Sequence, residues 1–557
     1  MFPIGIDNFS DIFSGFSLVA LISISAINAA LLFFASIKFM LVLQQSGYHG
    51  KKYFKWLLSP ETPYMSRFML LCLLGFLFFC VLGTCFSYVG NVAASYVGFA
   101  SYLVFIITYI DSEKNVNAKA PLKRTKRLVR LSITYCIVLF AATFGLLVLL
   151  NFIAYAIGSE IVGILRYSLI CAMPLLCPFL LFLAYCVNEP FEEMVRRGYM
   201  KVTKRKLKDS DVIKIGITGS FGKTSVKEIL KTILSQKYRV LSTPASFNTP
   251  MGIALSVKEL DGTYDVFLAE MGARSKGDIK ELCDMINPKI GILTGINNQH
   301  LESFGTIENI KSTKYELMES LPEDGVGFFS SDSEGARELF LKFKKEKYSA
   351  GEAGTDNLVY ASEIVTNSKG VKFMLNVKGE QPVECRTVLL GKNNVSNICL
   401  AAAVAYKMGL SVEEISRGIN RLHSVQHRLE LVPNNKNIII IDDSYNSNED
   451  GIQAAMEVLG TFEGRKIVVT PGLVELGKME NVVNFDFGKT LSQKADIVIV
   501  VGKHNAEMLI NGLTDGGMNK ENIIFAKTLS KGNEILNGLL KEGDVVLFEN
   551  DLPDNYN

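Results

Sequence analysis

The stretch Thr218-Gly-Ser-Phe-Gly-Lys-Thr-Ser225 carries the residue types that hold a nucleoside triphosphate. Glycines at 219 and 222 let backbone N–H groups close around phosphate oxygens at a helix N-terminus, with the Ser220 and Ser225 hydroxyls beside them. Lys223 then reaches the β- and γ-phosphates and the Thr224 hydroxyl faces Mg²⁺, so ATP is the natural ligand. The general pattern G-x-x-x-x-G-K-[ST] asks for glycine at 217, where this chain has Ile217, with glycines at 216 and 219 instead. A glycine-rich turn with an exposed Lys-Thr pair is the bland alternative.

Other candidates follow strand-like runs. Glu270 ends Tyr264–Met271, and a carboxylate at the C-terminal end of a parallel strand sits at the ligand edge of the sheet. It reads as a Mg²⁺ ligand, or else as a surface or helix-capping glutamate. His300, one of five histidines, lies just past the apolar run beginning at Ile290. A lone histidine in that place is more often structural than a ligand. Asp442 and Asp443 follow Ile438–Ile441 and by themselves fit a metal site or a turn.

The elements that must position these groups are legible in the periodicity. Val212–Gly216 reads as a buried strand, and apolar residues at 226, 229, 230, 233 and 234 share one helical face. Residues 211–330 alternate short apolar runs with helical stretches, which predicts a mostly parallel sheet flanked by helices. Residues 355–390 are richer in β-branched residues with turns at 367–370 and 378–380, predicting an antiparallel ribbon; a small-residue helix over 389–405 follows. Ser411 and Glu414 have capping-box spacing at the entry of the next helix.

The first third of the chain has another character. The chain is 557 residues long and 48% hydrophobic, and the apolar excess lies before residue 190. Runs at 17–43, 67–88, 91–110, 131–157 and 162–187 are long enough to cross a hydrocarbon core, predicting five spans. The first is too long for a signal peptide and lacks a basic n-region. Lysines and arginines concentrate at 51–55 and 114–130, which places the N-terminus outside the plasma membrane and residues 188 onward in the cytoplasm. The basic run 196–206 marks the inner face of a lipid bilayer rather than a nucleic-acid site, and the net charge of +2 adds nothing for nucleic acid. Seven of ten cysteines lie in the runs and Cys283, Cys385 and Cys399 show no zinc spacing, so no disulfide framework or structural zinc is expected.

The variant T-G-[ST]-x-G-K-T-[ST] at 218–225 resembles the phosphate loop of the Mur ligase family, ATP-dependent, ADP-forming amide ligases of peptidoglycan synthesis. Further motifs follow in the family's order: Ile290–Gly305 around His300, Gly391-Lys-Asn-Asn-Val-Ser-Asn397, His427-Arg-Leu-Glu430 and Asp442-Asp-Ser-Tyr-Asn446. The resemblance implies that His300 binds a second Mg²⁺ and that Lys314 holds the position of a lysine carbamylated in many members. It further implies that Asn394 touches adenine, Arg428 approaches the γ-phosphate and Asp443 holds the ribose. Lys223, Lys314 and Arg428 are thus the expected catalytic groups.

The tyrosine in Asp442–Asn446 and the segment Gly472–Gly477 resemble the branch that adds D-Ala-D-Ala to UDP-MurNAc-tripeptide. Departures are Asn393 and Asn484 in place of histidines, and an acidic Glu549–Asp554 tail in place of K-G-S. That tail is expected to repel a carboxylate and attract an ammonium group.

The resemblance covers roughly 205–550 and leaves the family's uridine-diphosphate-holding domain unmatched, with the five runs in its place. The expected fold class is therefore a multidomain membrane protein: a helical transmembrane bundle over 1–190, an α/β P-loop domain over 205–408 and a Rossmann-like α/β domain over 409–557. The expected reaction joins the carboxylate of a membrane-associated cell-envelope precursor to an amino acid or dipeptide amine. Soluble UDP-MurNAc-tripeptide is the alternative acceptor, and ATP-driven transport or regulation the rival class.

Overall fold

The computed structural model describes residues 18–58, 103–104, 106–107, 110, 122–157, 173–434, 437–445 and 447–551. It divides into two compact units, Met1–Val195 and Arg196–Asn557.

In the first unit, two helical stretches among the described residues are long and apolar enough to cross a membrane, Lys126–Leu150 and Met173–Lys208. A third qualifies if Leu21–Ala35 and Ile37–Gln45, bent by 49° at their junction, form one span. The expected runs at 67–88 and, almost entirely, 91–110 lie outside the described residues, as does the start of 162–187. The last expected run ends at 187, but its helix, Cys177–Lys208, continues through Glu189, Pro190 and Glu192. Hydropathy falls there, and the helix runs on in spite of Pro190, a poor helix former. The two acids are answered from the helix Lys126–Ile157: Arg127 pairs with Glu189 at 2.8 Å, and Arg130 grips Glu192 with two bonds of 2.5 and 2.7 Å. Buried hydroxyls are satisfied by the preceding turn, Ser25 on Leu21 O and Thr143 on Leu139 O, and Asn28 donates to Thr143.

The second unit holds two sheets. The first has β1 (Ile213–Thr218), β2 (Val240–Ser242), β3 (Val266–Glu270), β4 (Ile290–Leu293), β5 (Val326–Ser330) and β6 (Glu346–Gly351), then β7 (Val359–Asn367), β8 (Gly370–Val377) and β9 (Val383–Thr387). Their order is β2-β3-β1-β4-β5-β6-β7-β8-β9. All pairs are parallel through β6–β7, and β7–β8 and β8–β9 are antiparallel. The expected ribbon therefore extends the parallel sheet.

One face of this sheet packs on the helices Lys223–Leu234, Lys392–Lys407 and Val412–Ile419. Ala401, Ala402, Ala403 and Ala405 are fully buried, and their small side chains let the helix lie close to its neighbours. The expected capping box forms at Ser411 and Glu414. Leu410, Val412, Ile415 and Ile419 share this core, so residues 409–422 side with the first sheet.

The second sheet has β10 (Glu430–Leu431), β11 (Ile439–Asp443), β12 (Lys466–Thr470), β13 (Ile497–Val501), β14 (Ile523–Ala526) and β15 (Val545–Glu549), in the order β10-β11-β15-β12-β13-β14. Only β10 runs antiparallel. The helices Glu480–Lys494 and Ala506–Asp515 on one face meet backbone to backbone: a Cβ at Gly512 would stand 2.0 Å from Phe485 O.

Gly512→Ala is accordingly expected to destabilise this unit by about 1–3 kcal/mol, read as a lowered thermal midpoint. Gly538→Ala, in the helix Leu529–Leu539 with nothing within 4 Å of a new Cβ, should leave the midpoint unchanged or slightly raised.

Candidate active site

β1 ends at Thr218 and the chain turns through Gly219, at φ +154°, and Gly222, at φ +76°, into the helix Lys223–Leu234. A Cβ at Gly219 would fall 2.1 Å from Thr294 Oγ1, and one at Gly222 would fall 2.8 Å from Asn397 Oδ1. Only glycine leaves the loop open toward its own N–H groups. The Ser220 N–H bonds Gly295 O at 2.7 Å, and the Thr294 hydroxyl bonds Phe221 O, pinning the loop against the end of β4.

Around the helix N-terminus the expected groups converge. Glu270, fully buried at the end of β3, accepts the Thr224 hydroxyl at 3.0 Å and Asn248 Nδ2 at 3.2 Å. The glutamate is therefore no surface residue. Lys223 curls back on the loop, donating to Gly219 O at 2.8 Å and Ser220 O at 2.9 Å. Its burial lowers its pKa to about 8, Glu270 opposing the shift and Arg428 adding to it. Lys314, buried on the helix Ile307–Glu319, is lowered to about 7 by burial first and by the Lys223 charge second. A neutral amine at that pH is the form that takes up CO₂.

A cavity of about 630 Å³, within the range of small-molecule sites, opens beside the loop; Gly222, Thr224, Ser225, Asn394, Arg428 and Asp443 line it. Arg428 and Asp443 belong to the β10–β11 region, so the second sheet contributes part of this wall. Asp443 accepts the Leu429 N–H at 3.2 Å, and burial raises its pKa to about 6 while Arg428 opposes the rise. Asn394 turns its amide nitrogen to Leu390 O at 2.8 Å, fixing the entry of its own helix. A second cavity of about 420 Å³ shares Thr224 and Arg428 with the first.

His300 lines neither of these cavities. Its Nδ1 pairs with Glu475, from the loop after β12, and the Glu302 N–H bonds Glu475 O at 3.1 Å. Beside it the buried Gln299 Oε1 has no donor among the described residues.

The oxygens of Thr224 and Glu270 are hard ligands set for a small divalent cation, and the glycine cradle is one a Cβ would fill, so these residues fit Mg²⁺ and a polyphosphate. The parts played by three residues emerge only in the fold. Lys227, fully buried one turn after Lys223, pairs with Glu270 at 3.3 Å and donates to Ala245 O; a lysine within the helix's apolar face was the available signal. Tyr445 donates to Ser246 Oγ at 2.5 Å and lies under the Arg428 guanidinium. Glu549 corrects the expectation for the tail: it is fully buried, accepts Ser447 Oγ, and burial with the Asp443 charge pushes its pKa well up. Its neighbour Asn550 donates to Gly472 O at 2.6 Å. Glu549 is thus an interior group rather than a solvent-facing acid, and the rest of the tail from 552 lies outside the described residues.

Residues 217–405 match the Mur ligase middle domain and 427–549 the Mur ligase glutamate ligase domain. The chain is similar to the UDP-N-acetylmuramoyl-tripeptide–D-alanyl-D-alanine ligases of Bacillus subtilis, 29% identical over 55% of this chain and 66% of that protein, and of Escherichia coli, 30% identical over 52% and 65%. It therefore spans just under two thirds of the length of these relatives. Among solved structures, the MurF ligase of Thermotoga maritima in complex with ADP aligns at a TM-score of 0.57 and 26% identity, covering 64% of this chain and 80% of that one.

The Lys314 shift fixes a pH dependence. The unfolded chain keeps this lysine protonated up to its ordinary pKa, while the folded protein releases the proton near 7. The resulting penalty is complete below pH 7 and fades as pH rises toward the unfolded value. In thermal unfolding without nucleotide, wild type should gain stability relative to Lys314→Met between about pH 7 and 10. A constant difference across that window would contradict the assignment.

Proposed function

The chain belongs to the Mur ligase family through its middle and glutamate ligase domains, and on that premise we propose that it is an ATP-dependent, ADP-forming ligase joining a carboxylate to an amine. The observation that carries this reading is the single cavity into which the glycine loop, Thr224, Arg428 and Asp443 all open, built from both sheets. ATP takes that cavity with its phosphates on the N–H groups of 219–225. Thr224 and Glu270 would hold its Mg²⁺, and His300 with a carbamylated Lys314 a second ion. The metal supplies charge stabilisation at the transferring phosphoryl group.

The protein's own cations do the rest. Lys223 and Arg428 face the γ-phosphate and stabilise the charge spread over it as it passes to the substrate carboxylate. The amine then attacks the acyl phosphate and phosphate leaves. Ligands divided between the loop side and the Arg428–Asp443 side require the two sheets to close on each other around substrate.

For the substrates, the names of the similar proteins support a muramoyl-tripeptide carboxylate and a D-alanyl-D-alanine-like amine. A lipid-linked carboxylate is the second reading, favoured by the apolar helices Lys126–Leu150 and Met173–Lys208. In that reading the first unit sits in the plasma membrane with its N-terminus outside and the ligase part on the cytoplasmic side, where Arg127 and Arg130 meet Glu189 and Glu192.

The test supplies the full chain with ATP, Mg²⁺ and D-Ala-D-Ala, with either UDP-MurNAc-tripeptide or extracted lipid-linked precursors as acceptor, and follows ADP. Amine-dependent ADP release with the soluble acceptor supports the first reading, and release only with the lipid-linked acceptor the second. Lys223→Ala should lower that release about a hundredfold or more. Unchanged release by the variant, or ATP hydrolysis indifferent to any amine, would overturn the ligase mechanism.

A further inference from the structure

We propose that Tyr445 is a positioning residue for Arg428, latched to the phosphate-loop side of the molecule through Ser246. Two contacts carry the inference. The Arg428 guanidinium carbon lies 4.4 Å over the centre of the Tyr445 ring, and the Tyr445 hydroxyl donates to Ser246 Oγ at 2.5 Å. Ser246 sits in the turn between β2 and the helix Pro250–Val257, and the same turn supplies Ala245 O to Lys227 and Asn248 Nδ2 to Glu270. The hydroxyl of Tyr445 is thus anchored to the segment that braces the expected Mg²⁺ carboxylate.

Tyr445 is 41% exposed, so burial alone does not fix its side chain. Its position rests on its two contacts, a charge over its face and a bond at its tip. A guanidinium over an aromatic face is held in plane and height while its N–H groups stay directed outward, as a phosphate ligand requires. Arg428 lines both cavities beside the loop, so a small change in its height alters what a γ-phosphate meets. Tyr445 and Ser246 are 199 residues apart and lie in connections of different sheets, after β11 and after β2. Their bond therefore forms only when the two sheets are closed, and closure and Arg428 placement become one event.

The inference rests on Arg428 as a γ-phosphate ligand, and the test keeps the two claims separable. Dissociation constants of ATP and ADP, each with Mg²⁺, are measured on the full chain by displacement of a fluorescent ATP analogue, with no acceptor present. Wild type should prefer ATP, and Arg428→Ala should bring the ratio toward one. Tyr445→Leu should lose about 3- to 30-fold of the preference, the span of a cation–π contact, with ADP affinity within about twofold of wild type. Tyr445→Phe and Ser246→Ala should each lose a smaller part, keep the wild-type thermal midpoint, and together lose no more than either alone.

A wild-type ratio in Tyr445→Leu, or effects of Tyr445→Phe and Ser246→Ala that multiply, would overturn the proposal. Should Tyr445→Leu fail to fold, the Phe and Ala pair decides it alone. An unchanged ratio in Arg428→Ala would remove Arg428 from the γ-phosphate and the latch with it, while amine-dependent ADP release remains a separate measurement.

Discussion

The buried carboxylate of Glu270 is the constraint on which the rest of the site depends. It ends β3, flanked by β1 and β2, and a charge in such a place is tolerated only when paired and hydrogen-bonded. Lys227 supplies the opposite charge from the helix that begins at the phosphate loop, Thr224 a hydroxyl from its first turn, and Asn248 an amide from the turn after β2. Two of these partners come from the connection after β1 and the third from the turn after β2. The carboxylate therefore fixes the loop, the helix and the β2 turn against one another before any ligand arrives.

From that anchor the architecture follows the logic of open parallel sheets. Strand ends of the first sheet present the loop and Glu270, and strand ends of the second present Asp443 and Glu549 in register, both sets at carboxyl termini. The two carboxyls of the second sheet are held above free acids by burial first, with the Asp442 charge adding to the rise at Asp443 and the Asp443 charge adding to it at Glu549. Arg428 stands between the sheets and opposes that rise. Its charge reaches Lys223 as well, where it adds to desolvation in weakening the hold on the proton. An anion beside the loop would draw the Lys223 pKa back toward its ordinary value, an electrostatic reason for polyphosphate there that is independent of any motif.

Most of this fold is local enough to read along the chain. Strand, glycine loop and helix around 213–234, the parallel run through β6, the ribbon of β7–β9 and the capping box at Ser411 each rest on contacts a few residues apart or on side-chain periodicity. The apolar helices were visible for the same reason, though where the helix Cys177–Lys208 ends was not, since its continuation past 187 is held by ion pairs to arginines more than fifty residues earlier. Asn484, standing where a histidine was expected, is likewise explained only in three dimensions. It is fully buried and bonds both the N–H and the C=O of Leu473.

The sequence by itself determined which residues can meet a phosphate, because φ > 0 at Gly219 and Gly222 and the start of a helix are properties of consecutive residues. It also determined the sheet-edge position of Glu270 and Asp443, because a strand that turns polar ends there. It left open whether Glu549 faces solvent or the interior, what Lys227 is for, and what holds Tyr445. Those were decided by tertiary structure alone: the Lys227–Glu270 pair spans 43 residues, the Ser447–Glu549 bond 102 and the Tyr445–Ser246 bond 199. Burial and charge pairing between such distant positions depend on how layers stack, and no local pattern of polarity encodes which acid will be paired and which enclosed.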